Sequence, residues 1–270
     1  DRAKRVMAAM GHAPASWDEP SSALLAIGAE AHAEPPGYRV TLDPSESAGS
    51  ALRRVLLAAL DVLLANEEGT REDLDPEFLH DFRVAVRRIR AALSQLRDTL
   101  DPRAVERFRE GFGWLGTLTG PARDLDVFLL KLDDYTQGWS DEERQALSPL
   151  EDHVRKERGR EQTGIIEALS SDRYGELVGS FRAHLEAPLS DSDPQEAHLP
   201  VAQLAQKRLR KAFRRVLARG EAALASDAAS ALHEMRLACK KLRYLLDFFA
   251  SLYDDALVAS VTASLKKLQD

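Results

Sequence analysis

Two stretches of the chain share one uncommon order of side chains. His80-Asp81-Phe82-Arg83-Val84-Ala85-Val86-Arg87-Arg88-Ile89-Arg90 returns 153 residues later as His233-Glu234-Met235-Arg236-Leu237-Ala238-Cys239-Lys240-Lys241-Leu242-Arg243. Both read His-acid-x-Arg-apolar-x-x-basic-basic-apolar-Arg. An imidazole and four cations in each copy offer hydrogen-bond donors and positive charge to an anion. Arg supplies a planar fork suited to phosphate oxygens, and Lys a point charge. The rest of the chain offers no Ser or Cys nucleophile with a fixed base, no glycine-rich phosphate loop and no HExxH helix. The chemistry on offer is therefore recognition of something densely negative, and no catalytic residue or cofactor is assigned.

An α-helix places these groups together. With His80 at 0° and 100° per residue, Arg83, Arg87 and Arg90 fall at about 300°, 340° and 280°. Phe82, Val86, Ile89, Leu93 and Leu96 fall on the opposite, core-facing side. Arg88, at about 80°, lies off the stripe, and Arg97 ends the basic run. The second copy sets His233, Arg236, Lys240 and Arg243 in the same arc, with Lys241 in the place of Arg88. A third group, Lys207, Arg210, Lys211 and Arg214, spans about 100° of its own helix.

Solvated helix faces usually mix signs at i,i+4 spacing, because like charges there destabilise the helix. These three stretches do not mix. Residues 80–97 carry +4, residues 233–243 carry +3 and residues 207–219 carry +7, within a chain of net charge −7. Basic helices repeated in both halves of an acidic protein imply a compensating anion. Two related basic helices would line a long groove or pore, which suits an extended polyanion better than a single phosphate. Protonation of His80 and His233 should strengthen the hold, so affinity is expected to rise as pH falls through the imidazole range.

From Ser50 onward the surrounding sequence has a helical period. Residues 1–47 are punctuated by Pro14, Pro20, Pro35, Pro36 and Pro44 and read as an N-terminal extension or linker with short helices near 2–10 and 21–31. Helices are then expected over 51–66, from Asp75-Pro76 to about Leu100, and from Asp101-Pro102 onward. Further helices are expected over 123–134, 141–169, 172–185, 201–225, 228–251 and 254–270. Arg53-Arg54-Val55-Leu56 is echoed by Arg214-Arg215-Val216-Leu217. The pattern predicts an all-α protein of two up-and-down bundles related by internal duplication and a pseudo-twofold, with a basic central groove or pore. The first bundle covers 48–190 and the second 191–270, with a linker at 186–200 and the closing helix of the second bundle expected beyond residue 270.

Composition narrows the setting. Charged residues make up 30% of the chain and hydrophobic residues 44%, as in ordinary globular proteins. No apolar run approaches the ~20 residues of a membrane span, so no membrane partner is expected. The single cysteine, Cys239, excludes an intrachain disulfide and points to a reducing, cytoplasmic compartment.

At the two His motifs, at Gly120-Pro121-Ala122-Arg123-Asp124-Leu125-Asp126 and at Leu265-Lys266-Lys267-Leu268-Gln269-Asp270, the chain resembles the CHAD family, the conserved histidine α-helical domains. The resemblance covers residues 46–270. It implies two helical bundles with a basic central surface that binds inorganic polyphosphate, a role in targeting or scaffolding, no catalytic activity of its own, and association with polyphosphate granules. Asp1-Arg2-Ala3-Lys4-Arg5 resembles the tail after a CYTH domain, which implies the C-terminal part of a CYTH–CHAD fusion that processes triphosphates. The candidate site is His80, Arg83, Arg87, Arg88, Arg90, Arg97, Arg123, Lys207, Arg210, Lys211, Arg214, His233, Arg236, Lys240, Lys241 and Arg243.

Two other chemistries compete. Glu77-x-x-His80 has the spacing of helical di-iron sites, but Ser230 stands in the second copy where the second Glu should be, and the neighbouring cations repel a metal. Asp124 and Asp126 could hold Mg²⁺ for phosphoryl transfer, although helix capping and salt bridging account for them more simply. No metal is assigned. Binding to a nucleic-acid phosphate backbone is the main alternative function, with no aromatic residues interleaved among the stripe cations to stack on bases.

Overall fold

The computed structural model describes residues 38–226 and 228–269, apart from the side chain at 133. The helices expected near 2–10 and 21–31, and the five residues that resemble a CYTH-domain tail, lie outside them. Among the described residues the chain is all-α. Helices α1 (Ala48–Ala65), α2 (Glu67–Arg71), α3 (Pro76–Gln95), α4 (Pro102–Leu118), α5 (Gly120–Leu130) and α6 (Leu132–Tyr135) are followed by α7 (Asp141–Ala146), α8 (Ser148–Leu169) and α9 (Asp172–Glu186). Helices α10 (Val201–Leu224), α11 (Ala229–Phe248) and α12 (Asp255–Lys267) complete the order.

Local chemistry sets the boundaries. The Asp75 carboxylate accepts from the Glu77 backbone N–H at 2.8 Å and opens α3, and the Asp101 carboxylate accepts from Arg103 and Ala104 at 3.3 and 3.2 Å and opens α4. Such caps satisfy the orphan donors of a first helical turn. Helix α3 stops at Gln95, short of the expected Leu100. Arg97–Thr99 tighten into a 3₁₀ turn, which the Thr99 hydroxyl closes by donating to the Leu96 carbonyl at 2.6 Å.

The described residues form two compact units that interleave along the sequence. One joins Asp61–Val86 to Gly113–Gly179, and the other joins the residues up to Leu60 with Arg87–Phe112 and those from Ser180 onward.

In the first unit, Leu79, Phe82, Ala85 and Val86 of α3 are at most 1% exposed, the face that their spacing assigns to the core. Full burial of each large apolar side chain contributes about 1.5–3 kcal/mol. A polar network fastens α8. Arg158 is buried and donates to Asp126 of α5 at 2.8 Å, to Asp73 at 2.6 Å and to Gln162 at 2.8 Å. Asp73 sits at φ 55, a left-handed turn conformation that Asp tolerates better than most residues. Gly69 lies against a ring: an added Cβ would come within 2.2 Å of Phe78 Cδ1. Gly69→Ala is expected to destabilise the protein by about 1–3 kcal/mol through overpacking, read as a lower urea midpoint with the helical circular dichroism retained.

In the second unit, Phe181 packs edge-on against Phe108 and Phe112, both at 4.8 Å between centroids. Helices α10, α11 and α12 share a small core of Val216, Ala238, Cys239, Leu242 and Leu265. Part of the expected 186–200 linker is built into the fold. Ala197 is fully buried, the Ala48 N–H donates to the Leu199 carbonyl at 2.8 Å, and Val201 N–H donates to the Glu46 carbonyl at 2.8 Å. Arg53 of α1 reaches Asp193 of this segment at 3.1 Å.

Burial follows the sequence repeat at Val55 and Val216, Ala85 and Ala238, Val86 and Cys239, and Ile89 and Leu242, all of them buried. It departs from the repeat where Leu52, Leu56, Leu63 and Leu79 are buried but their counterparts Phe213, Leu217, Leu224 and Leu232 are exposed.

Candidate anion-binding site

Within the second unit the C-terminal part of α3, the N-terminal part of α4 and the middle of α11 line an open cleft of about 630 Å³. Helix α3 supplies Arg87, Arg90, Ala91, Ser94 and Gln95, α4 supplies Glu106, Arg109 and Glu110, and α11 supplies Leu237, Lys240, Lys241 and Tyr244. Helical periodicity aims these groups. Burial of Ile89 and Leu93 turns Arg87 and Arg90 outward, and burial of Cys239 and Leu242 does the same for Lys240 and Lys241.

Four of the five cations on the cleft, Arg87, Arg90, Lys240 and Lys241, have no carboxylate partner at ion-pair distance among the described residues; the fifth, Arg109, meets Glu106 at 3.2 Å. Partial burial holds the Lys240 ammonium below the ordinary lysine range, and the Arg87 and Arg243 guanidiniums push it the same way. Burial raises the Tyr244 hydroxyl, against the opposing pull of Arg87 and Arg243. Cations so placed raise one another's energy, and an anion between them relieves it.

The other candidates separate by role. Arg88 is not a cleft residue. Its half-buried guanidinium reaches Asp247 at 3.2 Å and lies over the Tyr38 ring, 4.4 Å from its centroid, which fits its off-stripe angle. Arg97 leaves the stripe because the helix ends before it, and its exposed side chain lies 3.5 Å from Asp98. On α10, Lys207 pairs with Glu196 at 2.6 Å, whereas Arg210, Lys211 and Arg214 are exposed. On α11, His233 and Arg236 are exposed and Arg243 is half-buried.

His80, Arg83 and Arg123 belong to the first unit and are half-buried there. Arg83 donates to the Gly116 carbonyl at 3.0 Å and the Thr119 hydroxyl at 2.8 Å, at the end of α4. Arg123 donates to the Pro76 carbonyl at 3.2 Å and lies 3.7 Å from Glu77. Both are thus held by the fold. Glu77 faces a guanidinium, and no group of three or more His, Cys, Asp or Glu suited to a metal occurs among the described residues. Asp126 is spent on Arg158.

Sequence reading misses Arg109, Glu106, Glu110 and Tyr244 as cleft residues. On α4, Glu106 and Arg109 mix signs at i,i+3, the ordinary signature of a solvated face, and Glu110 repeats the sign of Glu106 one turn on, so only tertiary placement marks them as cleft residues. The role of Arg208 is hidden in the same way. It is largely buried between Asp98, at 2.8 Å, and Glu196, and it lowers the Asp98 carboxyl.

No helix of the described residues is long and apolar enough to cross a membrane. The family model of the CHAD domain matches residues 54–270. No curated protein matches the chain. Among solved structures, the CHAD domain from the plant Ricinus communis is similar at 28% identity and a TM-score of 0.71, over 88% of this chain and 78% of that one. PptA from Streptomyces chartreusis is similar in fold, at 19% identity and a TM-score of 0.56, over 82% of this chain and 81% of that one. Together with the paired His motifs and the all-helical order, the match over residues 54–270 places the chain in the CHAD-domain family.

Proposed function

We propose that this CHAD domain is a binding module for inorganic polyphosphate that acts in targeting or scaffolding, with the cleft between α3, α4 and α11 as its docking site. The observation that carries the reading is the convergence of Arg87, Arg90, Lys240 and Lys241 without carboxylate partners among the described residues. Arg243, Arg236 and His233 continue the basic face along α11, and Arg210, Lys211 and Arg214 supply a second basic face on α10. Arg forks and Lys point charges suit the closely spaced, non-bridging oxygens of a phosphate chain. The cleft's one aromatic residue, Tyr244, is only 8% exposed, a poor platform for the base stacking that single-strand readers use.

Titration of long-chain polyphosphate with RNA as competitor tests this. The reading expects saturable binding that RNA does not displace at equal phosphate concentration; equal displacement would make the domain a general phosphate-backbone binder.

Lys240 gives a pH signature. Its charged form attracts the ligand, and its proton is lost at lower pH than that of an ordinary lysine. Affinity should therefore fall as pH rises from neutrality through the lowered titration point. Lys240→Arg, which stays charged throughout, should flatten that decline, measured by fluorescence anisotropy of labelled polyphosphate across the alkaline range.

A further inference from the structure

The cleft has two walls of opposite character. Arg87 and Arg90 of α3 and Lys240 and Lys241 of α11 make it positive, but α4 turns Glu106 and Glu110 into the same space. Glu106 is partly neutralised by Arg109 at 3.2 Å. Glu110 is exposed, with no cation partner at ion-pair distance among the described residues. An anion site built for affinity alone would not carry an unneutralised carboxylate across from its cations.

We propose that Glu106 and Glu110 are the selectivity determinants of the cleft: a repelling wall that confines the ligand to the α3–α11 side and rejects polyanions with phosphates on more than one face. The inference rests on the polyphosphate reading of the same cleft. A single phosphate chain is thin enough to lie against one wall and leave the carboxylates facing solvent. A nucleic-acid duplex presents about one charge per 1.7 Å of axis, distributed around its circumference, so some of its phosphates must approach Glu110 when others meet Lys240. Rejection of a wrong ligand by placed like charge is a common source of specificity. The acidic wall also weakens binding of the right ligand, which keeps the association reversible.

The test compares the parent protein with Glu110→Gln and with Glu106→Gln/Glu110→Gln. Both changes keep side-chain shape, and Glu110→Gln leaves the Arg109–Glu106 pair intact. Affinities are measured for long-chain polyphosphate and for duplex RNA at one salt concentration, with thermal unfolding as a check on folding. The expected result is a several-fold gain for polyphosphate and a gain about ten times larger for duplex RNA in the double variant, so that the preference ratio collapses. An unchanged ratio in both variants, with the parent still binding polyphosphate and Arg87→Glu/Lys240→Glu losing it, overturns this inference and leaves the polyphosphate reading standing. A parent that does not bind polyphosphate overturns both.

Discussion

Arg87→Glu/Lys240→Glu is expected to lower affinity for long-chain polyphosphate by at least about 100-fold. Each reversed side chain removes a hydrogen bond between charged groups, worth about 1.5–3 kcal/mol, and adds a repulsion. A loss of about 3 kcal/mol is already more than 100-fold in Kd. Arg87 and Lys240 come from α3 and α11, so the double change strikes both helices that make up the cationic side of the cleft. Both side chains are exposed and have no carboxylate partner among the described residues, so their replacement leaves no buried charge behind. Circular dichroism and the melting temperature should stay near those of the parent. The slope of log affinity against log salt should fall by about one for each phosphate that is no longer neutralised. Retained affinity with an unchanged slope would move the docking site away from the cleft.

The largest effect on stability is expected at Arg158→Met. Arg158 is buried and neutralises Asp126, itself 3% exposed, at 2.8 Å, while also holding Asp73 at 2.6 Å. Removing one partner of a buried pair strands the other charge in a low-dielectric interior and costs about 3–5 kcal/mol. For a chain of this size that is a fall in Tm on the order of 10 °C. Asp124→Ala, two residues from Asp126 but exposed, should change stability by no more than about 0.5 kcal/mol. Chemical denaturation of the two variants separates the accounts. Equal small effects would mean that the network contributes little, whereas a large effect confined to Arg158 identifies Asp126 as a structural carboxylate.

Much of this was legible in the sequence because it depends on periodicity. The apolar residues Phe82, Val86, Ile89, Leu93 and Leu96 recur on one face of a helix, and all five are at most 1% exposed. The caps Asp75-Pro76 and Asp101-Pro102 carry their geometry in their residue types. Arg87, Arg90, Lys240 and Lys241 lie on one cleft because each is fixed to a helix whose opposite face must be buried. What periodicity does not encode is which cation meets which carboxylate. Arg88 meets Asp247 from 159 residues away, and nothing local announces that pair. Arg83 and Arg123 share the motifs of the candidate site, yet backbone carbonyls at helix ends take their donors. The acidic wall of the cleft is illegible for the same reason, since Glu106 and Glu110 gain meaning only from the cations across from them. Arg53 and Arg214 make the point within one repeat: the first is buried on Asp193 and the second is exposed, because only the first has an acidic segment folded against it.

The most direct test of the cleft is lysine footprinting by mass spectrometry, with the protein labelled in the absence and presence of long-chain polyphosphate. Lys240 and Lys241 should become strongly protected, while exposed Lys156 on α8 should label equally in both samples. Unchanged labelling of Lys240 and Lys241 at saturating polyphosphate, or protection restricted to Lys207 and Lys211 on α10, would contradict the assignment of the ligand to this cleft.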